Sequence, residues 1–166
     1  MESPSTEPVA DAFRHVMAGV CTPVSVVTAL DGDRPHGTTV SAFASLSMEP
    51  PMVLVALDRK SDLLALVRGC GLFGVNVLGS EQSALAMRFA RKGTAKFEHV
   101  PWRESGGAAR LHGAAGWLSC AVDRVVDGGD HVIVLGSISS AERVPRAPLT
   151  YHDQKFGTHA ALEDPR

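Results

Sequence analysis

Two tight-turn signatures constrain the fold of this chain more than any other feature. Asp31-Gly32-Asp33 stands between Val24 to Val27 and Gly37 to Phe43, and Asp127-Gly128-Gly129-Asp130 stands between Leu118 to Val122 and His131 to Ser139. Glycine beside aspartate supplies the positive φ that a short hairpin loop needs, so both pairs of runs are predicted to be antiparallel. Pro50-Pro51 opens a further strand over Met52 to Leu57, and Phe73 to Leu78 is another apolar run. Helices are predicted over about 8 to 19, over Leu63 to Arg68 with Ser61-Asp62 as cap, and from Glu81 to Gly93. Phe13, Val16, Met17 and Val20 fall at helical spacing, and the first helix is expected to lay that face on the body of the domain. Leu118, Cys120 and Val122 alternate with Ser119, Ala121 and Asp123 as a half-buried strand would, and 99 to 110 reads as a loop. Strands that recur without a regular helix between them favour an antiparallel barrel over a doubly wound sheet.

The 166 residues suit one domain, expected over 8–159 with frayed ends at 1–7 and 160–166, and can bury about two thirds of the unfolded surface without disulfides. Sixteen basic against eighteen acidic residues give a net charge of −2, which argues against a sequence-independent grip on nucleic acid or an anionic membrane. Cys21, Cys70 and Cys120 are widely spaced among apolar residues and read as reduced core thiols. No basic, apolar leader opens the chain and no apolar run approaches a membrane span, so a soluble, cytoplasmic protein is expected. The seven histidines have no H-E-x-x-H or C-x-x-C companion, and no metal site is expected.

Gly69-Cys70-Gly71-Leu72-Phe73-Gly74 matches the dinucleotide fingerprint letter for letter. It follows a helix and leads into a strand, the reverse of the order that sets a pyrophosphate on a helix N-terminus, and is read as a helix cap and turn. No G-x-S-x-G elbow supports a serine hydrolase. Thr38, Thr39, Ser41, Ser45 and Ser47 crowd one stretch, and Arg59, Lys60 and Ser61 follow the next strand. Hydroxyls and main-chain N–H groups bond phosphate and ring-edge oxygens, and a cationic side chain offsets phosphate charge. The same residues also read as loop caps and a solvated strand end, Arg88, Arg91, Lys92 and Lys96 as a wet helix face, and Gly129-Asp130-His131 as a plain hairpin turn.

Thr39-Val40-Ser41-Ala42-Phe43-Ala44-Ser45-Leu46-Ser47-Met48-Glu49-Pro50-Pro51 with Leu57-Asp58-Arg59-Lys60-Ser61 closely resembles the flavin reductase-like family. Phe73-Gly74-Val75-Asn76-Val77-Leu78, Met87 to Lys92 with Lys96-Phe97, and Gly129-Asp130-His131 stand in the order of that family's later motifs. Arg88 to Phe97 in particular resembles reductase components of two-component flavin monooxygenases, including those of actinorhodin-type polyketide pathways. The resemblance implies a mainly β fold, an antiparallel Greek-key split β-barrel with short helices. It also implies a homodimer that passes reducing equivalents from NADH or NADPH to FMN or FAD, which leaves for an oxygenase partner. On the same ground Thr38, Thr39, Val40, Ser41, Ser45, Leu46 and Ser47 would hold the flavin ring edge and ribityl chain. Arg59, Lys60 and Ser61 would meet the phosphate, Asn76 and Val77 would line the ring, and Arg88, Phe89 and Phe97 would close over the rest. His131 would place the nicotinamide, Asp130 would orient the turn, and Tyr151 and Phe156 are further candidates on the nicotinamide side.

A hydride passing between two bound ring systems asks the protein to hold the reacting atoms about 3 to 3.5 Å apart and to exclude water, and no acid–base dyad is required. An abundance of hydroxyls without paired carboxylates agrees with that. Two other classes stay open on the residues alone: a split-barrel oxidase of the pyridoxamine-phosphate oxidase type, and a non-catalytic flavin carrier.

Overall fold

The computed structural model describes residues 7–163, so parts of both expected frayed ends, 1–6 and 164–166, lie outside the described residues. In chain order the elements are α1 (Glu7–Ala18), β1 (Thr22–Pro23), β2 (Ser25–Asp31), β3 (Arg34–Val40), β4 (Phe43–Met48), β5 (Pro51–Asp58), α2 (Asp62–Cys70), β6 (Leu72–Val77) and α3 (Ser83–Ala90). A 3-10 turn at Ala95–Phe97 leads to β7 (Trp102–Ser105), β8 (Ala108–Leu111), β9 (Gly116–Gly128), β10 (His131–Arg143), β11 (Thr150–His152) and β12 (Lys155–Gly157). Seven strands form one sheet in the order β3-β2-β6-β9-β10-β5-β4, and every pairing in it is antiparallel, the β2–β3 and β9–β10 hairpins as the turn signatures require. The sheet curls until β3 lies against β5, which leaves a seam between them.

Both faces of β2 are covered, so Ser25 to Ala29 are all buried. Val27 and Ala29 join a core with Val55, Phe73, Val134 and the α2 residues Leu63, Leu64 and Val67, whereas Val24 and Val26 face a second cluster with Phe89 of α3, Leu78, Leu111 and Leu149. Gly74 of β6 lies where a Cβ would stand 2.2 Å from the buried Trp117 ring, so that ring packs over a missing side chain. α2 ends as a helix cap should: Gly71 adopts φ 72° and its N–H donates to the Val67 carbonyl at 2.9 Å. The glycine-rich stretch there is a turn between helix and strand.

Several expectations need correction. The returning run expected over Gly37 to Phe43 ends at Val40, and the hydroxyl-dense stretch divides between two strands: Ser45 and Ser47 lie on β4, at the opposite end of the sheet order from Thr38 and Thr39. Residues 99–110 are not simply a loop, because Trp102–Ser105 and Ala108–Leu111 pair as a hairpin across Gly106-Gly107. That glycine pair, both at positive φ, was the legible turn signal. Burial along β9 does not alternate cleanly, since Trp117, Ser119 and Cys120 are all buried beside irregular pairing with β10. Ser61 occupies the N-cap of α2 but makes no side-chain capping bond. The apolar face of α1 does not pack on the domain: Val9 is 72%, Phe13 63% and Val16 66% exposed.

Only one of the three thiols is a core residue, because Cys21 and Cys70 are exposed. Cys120 is fully buried, and burial pushes its thiol up to about 12. Thiolate is the reactive form, so iodoacetamide at neutral pH is expected to alkylate Cys21 and Cys70 in the native protein and Cys120 only after denaturation. Mass spectrometry of the alkylated protein checks this, and rapid native labelling of Cys120 would contradict the packing.

Candidate functional site

The C-terminal end of β5 organises the polar surface. Pro51 to Asp58 pairs with β10 on one side, and its register sets His131 opposite Asp58. The chain then turns through Arg59 and Lys60 into α2, whose first N–H groups lack helical partners and favour an anion. A cleft of about 510 Å3 opens here along the seam. Lys60, Ser61 and Asp62 form one wall, the β3 residues Arg34, His36 and Thr38 another, and Arg91, Lys92, Lys96 and Phe97 a third. Basic side chains outnumber the two carboxylates, Asp58 and Asp62, that share this lining.

Lys96 joins two of the walls. Its ammonium donates to the Gly37 and Phe89 carbonyls, each at 3.1 Å. Burial holds the Lys96 ammonium below its usual range, and the negative charge of Asp62 partly offsets that. Phe97 stands edge-on to the buried Phe89 ring at 4.8 Å, which fixes the third wall to the core. Sequence reading missed Arg34, His36 and Lys96 as wall residues; Arg34 and His36 lie on a strand whose other residues had drawn attention, and the 88–96 basic run resembled an ordinary solvated helix face.

On the far side of the β5 end stands the β9–β10 hairpin tip. Gly129 turns the chain at φ 69°, and Asp130 Oδ1 lies 2.8 Å from His131 Nδ1. The hydrogen bond with His131, and then its charge, hold the Asp130 carboxyl below the usual carboxylate range. An ionised carboxylate only accepts, so this pair places a proton on Nδ1 and leaves Nε2 outside the bond. Asp130 thus sits where a residue that orients the His131 ring would.

The other residues singled out from sequence fall into separate groups. Thr38, Lys60, Ser61 and Phe97 line the cleft. Thr39 turns away, its hydroxyl donating to the Ala86 carbonyl at 2.6 Å, and Val40 is buried. Ser41, Ser45 and Leu46 are exposed, Ser47 is half-buried, and Leu46 occupies a bulge between Ser45 and Ser47 on β4, outside the cleft. Asn76 is fully buried; its amide donates to the Val26 and Ala109 carbonyls and accepts the Leu111 N–H at 2.7 Å. It ties three strands together, and neither it nor Val77, packed against the core, reaches the cleft. Arg88 donates to the Ala95 and Glu98 carbonyls and braces the 3-10 turn, while Phe89 is core. The Arg59 guanidinium lies against the hairpin tip and does not line the cleft. Tyr151 and Phe156 pack against each other on the β11–β12 hairpin, their ring centroids 5.2 Å apart and their planes tilted by 59°. Among the described residues no group of His, Cys, Asp or Glu could hold a metal ion.

The model of the flavin reductase like domain matches residues 17–160. A protein named actinorhodin polyketide dimerase from Streptomyces coelicolor is 42% identical over 147 residues, which span 87% of this chain and 83% of the relative. The reductase subunit HsaB of a flavin-dependent monooxygenase from Rhodococcus jostii is 36% identical over 148 residues, 87% of this chain and 76% of the relative. Among solved structures, the Streptomyces globisporus NADH:FAD oxidoreductase SgcE6, in complex with NAD and FAD fragments, superposes with a TM-score of 0.88 at 31% identity, covering 99% of this chain and all of that one.

Proposed function

The chain belongs to the flavin reductase-like family, and from that premise we propose that it is an NAD(P)H:flavin oxidoreductase supplying reduced FMN or FAD to a partner monooxygenase. The observation that carries this reading is the juxtaposition of a basic cleft and the Gly129-Asp130-His131 turn at the two sides of one strand end, Asp58 to Ser61. The donor set suits a flavin phosphate: Lys60 supplies a cation, Ser61 a hydroxyl without a capping bond, and α2 a positive helix end. When bound, the flavin supplies the two-electron acceptor for the nicotinamide hydride. The protein's work is then binding and orientation. Lys60 and Ser61 hold the phosphate end, Thr38 offers a hydroxyl along the seam, Phe97 shields one wall from water, and His131 presents Nε2 to the nicotinamide amide. Amine oxidase chemistry of the pyridoxamine-phosphate type draws no support from the relatives, several of which are named as flavin reductases or reductase subunits.

This reading places one domain over 8–159 in a reducing cytoplasm, where three free thiols persist. Among the described residues no helix is long and apolar enough to cross a membrane. It also makes the protein a homodimer. Val9, Phe13 and Val16 leave the apolar face of α1 bare, and an apolar helix face at i, i+4 and i+7 is the kind that a second copy covers. Phe13→Asp is expected to turn a dimer into a monomer on sedimentation at micromolar concentration, whereas a monomeric wild type would refute the dimer. The reaction itself is tested by anaerobic loss of NADH absorbance with FMN, FAD and riboflavin in turn. Turnover with at least one flavin is expected, and none with any would refute the proposal.

A further inference from the structure

We infer that Arg59 is a positioning residue for this reaction, holding the Gly129-Asp130-His131 turn and through it the His131 imidazole. The inference rests on the reductase reading above, and it reassigns a residue that the family resemblance set against the flavin phosphate.

Four N–H donors of this one residue go to one turn. The Arg59 main-chain N–H donates to the Asp130 carbonyl at 3.0 Å. Its side-chain Nε and Nη2 both donate to the Gly129 carbonyl, at 3.3 and 3.2 Å, and Nη1 donates to Asp127 Oδ1 at 2.9 Å. The contacts therefore span the loop from Asp127 to Asp130, and the next bond in the series joins His131 Nδ1, as donor, to the Asp130 carboxylate at 2.8 Å. The guanidinium holds the main chain, the main chain carries Asp130, and Asp130 holds the ring.

Apart from these bonds the tip is held by the strand ladders, in which His131 pairs with Gly128 and with Asp58. Residues 127–131 are all exposed, at the end of two long strands, where apolar packing cannot fix a loop. The Arg59–Asp127 pair is itself exposed, 43% and 76% for the two side chains, so it adds little to global stability. Its effect is geometric. A planar fork that engages a carbonyl and a carboxylate together sets direction as well as distance, which a lysine on the same stem does not reproduce. With its N–H groups spent on the turn, Arg59 leaves the cleft to its neighbour Lys60, whose side chain lines it. Adjacent basic residues at one strand end thus serve opposite sides, one the phosphate and one the nicotinamide.

The test uses the full chain and the variants Arg59→Met, Arg59→Lys and Asp127→Asn, with anaerobic NADH oxidation measured on FMN and on riboflavin, which lacks the phosphate. Arg59→Met is expected to lower kcat/KM for NADH about 10- to 100-fold, by the same factor with both flavins, while the Kd of each flavin stays within about 2-fold. Arg59→Lys is expected to recover less than about 3-fold of that loss. Asp127→Asn removes only the ion pair and is expected to cost about 3-fold, with no further loss when added to Arg59→Met. It also keeps the question answerable if Arg59→Met does not fold. A loss confined to FMN, seen as a raised Kd, would overturn the inference and return Arg59 to the phosphate. Unchanged kcat/KM in Arg59→Met, or in Asp127→Asn if that variant alone folds, would overturn it too. A wild type silent with both flavins would instead refute the reductase reading, and the inference with it.

Discussion

Lys60→Glu is expected to weaken binding of riboflavin 5′-phosphate by about 10- to 100-fold, or about 1.4 to 2.7 kcal/mol, and to leave riboflavin binding unchanged. Lys60 lines the cleft beside Asp58 and Asp62, so reversal turns one cation between two carboxylates into three like charges on one wall. Arg91 and Lys92 stand on the wall across the cleft and retain part of the attraction, which is why the loss is bounded. Because Lys60 is exposed, the difference between the wild type and the variant should shrink as salt rises. Fluorescence titration with the two flavins reads the effect, and equal losses for both would remove Lys60 from the phosphate.

Gly74→Val is expected to destabilise the fold by about 3 kcal/mol or more, lowering Tm by roughly 6 to 12 °C. A Cβ at this position would stand 2.2 Å from Cη2 and 2.6 Å from Cζ3 of Trp117, and 2.9 Å from the Ala108 Cβ. Trp117 is only 2% exposed, so the ring has no free space into which to retreat. Neither neighbour is the loose end of a flexible side chain. Gly69 is the contrast: it lies within α2, and a Cβ there meets nothing within 4 Å. Gly69→Ala is expected to leave Tm equal or slightly raised, since alanine loses less chain entropy than glycine on entering a helix. Thermal melts of the two variants side by side check the packing of Trp117 over Gly74.

The strands and hairpins were legible because short apolar runs and glycine–aspartate turns are local signals. Val24 to Val27, Met52 to Leu57 and Phe73 to Leu78 carry enough apolar residues to be strands in any context, and the Gly129 turn announces itself by composition. What was hidden depends on where strands go after they form. Thr38 and Ser47 lie close in sequence, yet one edge of the seven-stranded sheet receives the first and the other edge the second. Spacing shows that α1 has an apolar face, and says nothing about whether the cover comes from the same chain. The resemblance set Asn76 against the ring, and the fold shows its buried amide with three internal partners, which account for its burial without a ligand. Arg59 and Lys60 are indistinguishable by type and neighbourhood in the sequence. Only the pairing of β5 with β10 shows that one of them meets the hairpin tip.

The central claim, that the seam beside β5 cradles a flavin with its phosphate at Lys60 and Ser61 and its ring toward the His131 turn, is tested most directly by a crystal soaked with riboflavin 5′-phosphate. Density for the phosphate within hydrogen-bond reach of the Lys60 ammonium and the Ser61 hydroxyl, with the isoalloxazine extending toward His131, is the predicted result. Flavin bound at another surface of the chain, with the cleft unchanged, would contradict it.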